Sequence, residues 1–230
     1  MTRFNLMILA AGYGKRMNNL THSIPKPLLK LDNKELLRHN IDFFTSLGCE
    51  KIVINTHYLH HKIQNCIEKY YSDRNISLSY EPILLNTGGG IKNALSFLGE
   101  NNFVVTNSDI LWKEDNSEDV IKFINNYQEI TTCKLLLATY KNFEGLKKSD
   151  GDFKCEERLI TRWKKNDPYL YYTGLQIINP IVFKLIEDIS FSLNKLWDLL
   201  IAKGNLQGEI SHSKIAHIGD MNAFNQFKDD

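Results

Sequence analysis

The chain has 230 residues, 43% of them hydrophobic, with 28 basic against 27 acidic side chains and a formal net charge of +1. That length allows one large domain or a small pair, with ample material for a core, and the balanced charge argues against a nucleic-acid partner. Cys49, Cys66, Cys133 and Cys155 are scattered and lack Cys-x-x-Cys spacing, which speaks against a zinc site and for reduced thiols in a cytoplasmic protein.

No segment reaches the roughly 20 apolar residues that span a bilayer. The short apolar run behind Arg3 is broken by Asn5 and ends in glycines rather than at a cleavage site, so it does not read as a signal peptide or a membrane contact. The first predicted strand, Leu6 to Leu9, feeds Ala10-Ala11-Gly12-Tyr13-Gly14-Lys15-Arg16-Met17. Small residues directly after a strand let a ligand touch the backbone, whose free N–H groups hold phosphate oxygens. Lys15, Arg16 and Lys26 add three cations, and Pro25-Lys26-Pro27 fixes the backbone on both sides of Lys26. Arg forks onto phosphate oxygens and Lys supplies a point charge. The stretch fits neither the dinucleotide fingerprint, which wants a glycine where Met17 stands, nor a P-loop.

Leu37, Ile41, Phe44 and Leu47 recur at helical spacing before Gly48. Lys51 to Asn55 reads as a buried strand, and a second helix carries Leu59, Ile63, Cys66, Ile67 and Tyr70 on one face. His57 and His61 have the i, i+4 spacing of a metal pair but no Glu between them, and read as solvated residues at a helix start. Ile76 to Tyr80 alternates as a strand. Alternating strands and helices up to residue 110 predict a parallel sheet covered on both faces, with functional loops along its carboxyl edge.

Thr87-Gly88-Gly89-Gly90 precedes a predicted helix from Ile91. Three glycines are entropically costly in a mere connector and suit a place where a flat base lies against the backbone. Phe103 to Thr106 is a buried strand that ends in Asn107-Ser108-Asp109. A carboxylate there sits on the ligand edge and suits Mg²⁺, which takes one or two carboxylates plus substrate phosphates. Trp112 either lines a pocket or packs. Ser117-Glu118-Asp119 opens a helix, Lys134 to Tyr140 is a strand, and residues 141–170 read as charged and irregular. Lys147, Lys148 and Lys154 are equivalent phosphate candidates. Leu170 to Ile178 is strand-like, Leu193, Leu196, Trp197 and Leu200 form a core stripe, and Asp220 caps a last helix, Met221 to Phe227.

The first signature, Leu9 to Met17 followed by Pro25-Lys26-Pro27-Leu28, resembles that of the sugar-1-phosphate nucleotidyltransferases. Asn86 to Ile91, Asn107 to Trp112 and Tyr172-Thr173-Gly174-Leu175-Gln176 bring it closest to the short N-acetylmuramate-1-phosphate uridylyltransferases. The resemblance covers nearly the whole chain. It implies an α/β, Rossmann-like three-layer αβα sandwich with a mixed, mostly parallel sheet. Residues 1–230 would form a single domain, with a nucleotide-binding half to residue 115 and a sugar-phosphate half beyond it. No six-residue repeat suggests an appended β-helix module.

The resemblance also implies the reaction: a nucleotidyl group passes from a nucleoside triphosphate, UTP first, to a sugar 1-phosphate, releasing pyrophosphate. Leu9, Ala10, Ala11, Gly12, Gly14, Lys15, Thr87, Gly88 and Gly89 would hold the nucleotide, with Glu81 and Thr87 as polar contacts to the base. Arg16 would take the leaving pyrophosphate and Lys26 would bridge the α-phosphate and the incoming phosphate. Asp109 would hold Mg²⁺ or Mn²⁺. Asn107, Trp112, Asp152, Thr173 and Gly174 would face the sugar phosphate. One departure stands out: where the family has a second metal-binding carboxylate, two residues before a glycine near the end, this chain has His217. Imidazole either ligates a metal softer than Mg²⁺ or marks a site that no longer turns over. Rival readings are a cytidylyl- or guanylyltransferase on choline phosphate or a hexose or heptose phosphate, and a non-catalytic nucleotide-sugar sensor.

Overall fold

The computed structural model describes residues 2–125, 129, 131–146 and 148–228. Lys147, one of three lysine candidates for phosphate, lies outside them.

The chain opens with β1 (Phe4–Leu9), a short 3-10 helix at Lys15–Thr21 and another at Lys26–Leu28, then the small hairpin β2 (Lys30–Leu31) and β3 (Lys34–Glu35). It continues through α1 (Leu36–Ser46), β4 (Cys49–Thr56), α2 (His60–Tyr71), β5 (Ile76–Tyr80), α3 (Asn86–Leu98), β6 (Phe103–Asn107) and β7 (Ile110–Leu111). The remainder comprises α4 (Ser117–Asn125), β8 (Cys133–Thr139), β9 (Phe143–Glu144), β10 (Phe153–Glu156), β11 (Leu159–Arg162) and β12 (Leu170–Ile178). It ends with α5 (Leu193–Ala202), β13 (Leu206–Ile210), β14 (Ile215–His217) and α6 (Met221–Lys228).

Nine strands form the main sheet in the order β10-β11-β13-β8-β12-β6-β1-β4-β5. β5, β4, β1 and β6 run parallel, and β12 lies antiparallel between β6 and β8. Alternation along β1 divides the core: Leu6 and Ile8 pack with α1, α2 and α4, while Met7 packs with α3 and α5 on the other face. The α5 stripe Leu193, Leu196, Trp197 and Leu200 is buried, as its spacing predicts. This is a three-layer α/β/α sandwich with a mixed, mostly parallel sheet.

Three local expectations need correction. Residues 141–170 are not irregular: β10 and β11 form a hairpin within them. Its two-residue turn is Glu157-Arg158, both at positive φ, and that pairing hides the turn because hairpins of this kind usually use Asn or Gly. On α2 Tyr71 is buried, whereas Tyr70 is exposed under the Arg38 guanidinium. The glycines at 88–90 stand inside α3 rather than ahead of it.

β1 pairs with β4 on one side and β6 on the other, and strand order reverses there. The chain winds outward through β4 and β5, then returns to place β6 beyond β1. A crevice outside the carboxyl ends of the strands forms at such a reversal. Leu9 is in register with Asn55 of β4 and Asn107 of β6, so these three positions form a row along its floor.

Candidate active site

The crevice is a cavity of about 560 Å³, within the range of small-molecule sites. Its walls include Leu9, Ala10, Ala11, Gly12, Gly14, Lys15, Arg16, Lys26, Asn55, Asn86, Thr87, Asn107, Asp109 and Gly219. The glycine loop behaves as its sequence suggests. A Cβ at Gly12 would project into open space, so the bare backbone there borders the cavity. Gly14 has φ +67°, and a Cβ on it would lie 2.9 Å from Lys26 Cβ; glycine here seats the Lys26 segment against the loop. Lys15 and Arg16 are exposed on the lip. Neither meets a carboxylate among the described residues, and Lys15 lies 5.5 Å from the Tyr13 ring centroid.

Lys26 is buried, and its Nζ donates to Asp109 Oδ2 at 2.6 Å and to the Gly219 carbonyl at 3.3 Å. Asp109 is carried by the turn between β6 and β7. Antiparallel pairing of β7 with β14 sets His217 opposite Ile110, and Ile218 N–H donates to the Asp109 carbonyl at 2.8 Å. His217 Nε2 thereby stands 3.5 Å from Asp109 Oδ2. Burial alone would raise the Asp109 carboxyl pKa, but the Lys26 ammonium and the His217 imidazole outweigh it and hold the group well below the usual carboxylate range. The His217 ring lies against Phe143, with 5.6 Å between centroids, and a Cβ at Gly219 would collide with it.

Several predicted site residues are elsewhere. Glu81 is fully buried and its carboxylate accepts from Asn55 Nδ2 at 2.7 Å and Leu85 N–H at 2.9 Å, so it holds protein rather than base. Gly88 and Gly89 donate their N–H groups to the Phe191 carbonyl, and added Cβ atoms would land on Phe191 and the Ile189 carbonyl. They admit a close backbone approach, but the approaching chain is the protein's own. Trp112 packs: it is 3% exposed, stacks on Phe43 and donates to Thr106 Oγ1 at 3.0 Å. Thr173 is buried with its hydroxyl on the Leu136 carbonyl, and Gly174 backs onto Asn107. Asp152 accepts from Lys148 and from Tyr172 N–H, away from the crevice walls. Lys154 pairs with Glu156. Of the sugar-side residues, Asn107 alone lines the cavity. His57 is no metal ligand pair with His61, since its two ring nitrogens meet the Tyr13 hydroxyl and the Glu81 carbonyl.

The cavity also uses residues that sequence reading missed. Asn55 had a signal, a polar residue ending a buried strand. Ser192 and Asn194 had none, because they reach the crevice from about a hundred residues beyond α3's start.

The family described as nucleotidyl transferase matches residues 5–145, the stretch that supplies β1, the glycine loop, Lys26 and Asp109. The chain belongs to the nucleotidyl transferase family. Nucleotidyl transferases similar to it include the N-acetylmuramate alpha-1-phosphate uridylyltransferase of Caulobacter vibrioides, 31% identical over 229 residues, covering 94% of this chain and 92% of that one. The enzyme of the same name from Neisseria meningitidis serogroup B is 41% identical over 184 residues, covering 79% of this chain and 78% of its own. Among solved structures, a UDP-glucose pyrophosphorylase complexed with UDP-glucose superposes with a TM-score of 0.80 at 16% identity, covering 99% of this chain and 98% of that one; at that identity the likeness speaks for the fold. No helix among the described residues is long and apolar enough to cross a membrane.

Proposed function

We propose that this nucleotidyl transferase moves a uridylyl group from UTP to N-acetylmuramate 1-phosphate, releasing pyrophosphate, in the cytoplasmic recycling of cell-wall sugars. The strand ends of residues 1–115 serve the nucleotide and residues 116–230 the acceptor. The observation that carries this reading is the arrangement of charge around bare backbone. Lys15 and Arg16 meet no carboxylate among the described residues, Lys26 is pinned by Asp109, and Gly12 brings bare backbone to the same cavity.

The chemistry needs little more. A phosphate monoester has a second pKa of about 6 and is mostly dianionic near neutrality, so the attacking oxygen needs no general base. Catalysis is then positioning and charge neutralisation. Arg16 forks onto the leaving pyrophosphate, Lys15 holds the triphosphate, and Lys26 draws the α-phosphate and the acceptor phosphate together. Asn107, which also lines the cavity, would contact the acceptor.

Asp109 and His217 would hold a divalent cation, Mg²⁺ or Mn²⁺. The donor set fits: one carboxylate beside one imidazole nitrogen. No third His, Cys, Asp or Glu converges among the described residues, so substrate oxygens would complete the shell. Such an ion stabilises charge on the α-phosphoryl oxygens when bound.

Pyrophosphate release measured with UTP, CTP and GTP against a panel of sugar 1-phosphates and choline phosphate tests the proposal. UTP with N-acetylmuramate 1-phosphate should be the fastest pair. A faster rate with GTP and a hexose or heptose phosphate would replace it, and no release from any pair would leave a binding protein.

A further inference from the structure

Two loops border the nucleotide side of the crevice, the glycine loop after β1 and the start of α3. They are separated by about 75 residues, yet one buried chain of hydrogen bonds joins them. Ala10 N–H donates to Asn55 Oδ1 at 2.8 Å. Asn55 Nδ2 donates to Glu81 Oε1 at 2.7 Å, and Glu81 Oε2 accepts Leu85 N–H at 2.9 Å. A second strand of the same tie runs through the backbone of Glu81: its carbonyl meets His57 Nδ1 at 2.7 Å, and His57 Nε2 meets the Tyr13 hydroxyl at 3.0 Å.

Asn55 is 3% exposed and Glu81 0%. A buried carboxylate without a cation beside it is costly unless every oxygen is satisfied; here Oε1 takes Asn55 of β4, which in turn holds the glycine loop, and Oε2 takes the backbone N–H just ahead of α3. Gly90 belongs to the same device. A Cβ there would sit 2.5 Å from Glu81 Oε1 and 2.6 Å from Asn55 Nδ2, so glycine makes room for the relay.

We propose that Asn55 and Glu81 are positioning residues for the nucleotide, a relay that fixes the glycine loop and the start of α3 at the spacing the base requires. The proposal rests on the nucleotidyl transfer reading above but is tested separately from it. The polarity of the relay allows a swap. In Asn55→Asp a carboxylate faces the Glu81 carboxylate, and in Glu81→Gln an amide N–H faces another donor. In the double variant the new amide donates to the new carboxylate, while Ala10 N–H and Leu85 N–H keep their acceptors. Volume is nearly unchanged throughout, and the double variant restores the net charge that each single variant shifts by one unit.

The experiment measures UTP and GTP affinity by calorimetry, KM and kcat for pyrophosphate release, and amide hydrogen exchange at Ala10 and Leu85, for wild type, both single variants and the double. Each single should speed exchange at both amides and weaken nucleotide binding roughly tenfold, the equivalent of one charge-assisted hydrogen bond, with KM affected more than kcat. The double should recover on all counts. Single variants with wild-type exchange and affinity would overturn the relay, as would faster exchange with unchanged affinity or a double no better than the singles. If a single variant does not fold, the double decides. Wild type that binds neither nucleotide would refute the proposed function, and recovery of exchange in the double would still judge the relay.

Discussion

Lys26 has little freedom. Prolines on either side fix its backbone, Gly14 packs against its Cβ, and Asp109 and the Gly219 carbonyl hold its ammonium. A charge fixed in this way is worth far more to a transition state than a solvated one. Lys26→Ala and Asp109→Ala should each lower kcat by two orders of magnitude or more while keeping a cooperative thermal melt; wild-type turnover in either would remove that residue from the chemistry. His217 sets the second residue-scale prediction. Imidazole suits Mn²⁺-like ions better than Mg²⁺, so His217→Asp should raise the Mg²⁺-to-Mn²⁺ activity ratio severalfold. An unchanged ratio would show that His217 only packs against Phe143 and Asp109.

At the scale of elements, the glycines divide by role. Gly12→Ala should weaken nucleotide binding with no loss of stability, because its Cβ meets nothing in the protein and enters the cavity. Gly89→Ala should do the reverse. Its Cβ would land on the Ile189 carbonyl, a backbone atom with nowhere to go, at a cost of about 1–3 kcal/mol. Calorimetric melts and nucleotide titrations of the two variants distinguish these outcomes, and equal effects on both would merge the roles. The same contrast explains what was legible. The first glycine loop and Asp109 could be read because each follows a strand at short range, where ligands bind in such sheets, and Lys26 because the prolines on either side mark a fixed cation. The glycines at 88–90 look alike in sequence whether they face a base or Phe191. Residues 189–194 reach them only through tertiary packing. Thr173, Asp152 and Trp112 were misplaced for a related reason: a polar or aromatic residue near a motif carries no mark of which face it takes. Glu81 resembled a base contact because a carboxylate is seldom buried without a cation, and its partners, Asn55 and Leu85, come from β4 and from the residue capping α3.

The whole molecule places one cavity where strand order reverses, walls it with residues from the ends of β1 and β4 and the start of α3, and closes it with the Asp109 turn, Gly219 and the 192–194 segment. Its near-zero net charge leaves the local cluster of Lys15, Arg16 and Lys26 as the feature that attracts a polyanion. The central claim is that a nucleoside triphosphate lies across this reversal with its α-phosphate at Lys26. A crystal structure of the protein with a non-hydrolysable UTP analogue tests it most directly. The base should lie between the Gly12 backbone and the start of α3, with the triphosphate on Lys15 and Arg16 and the α-phosphate within hydrogen-bonding reach of Lys26. A nucleotide bound elsewhere on the surface, or a crevice empty at saturating analogue, would contradict the account.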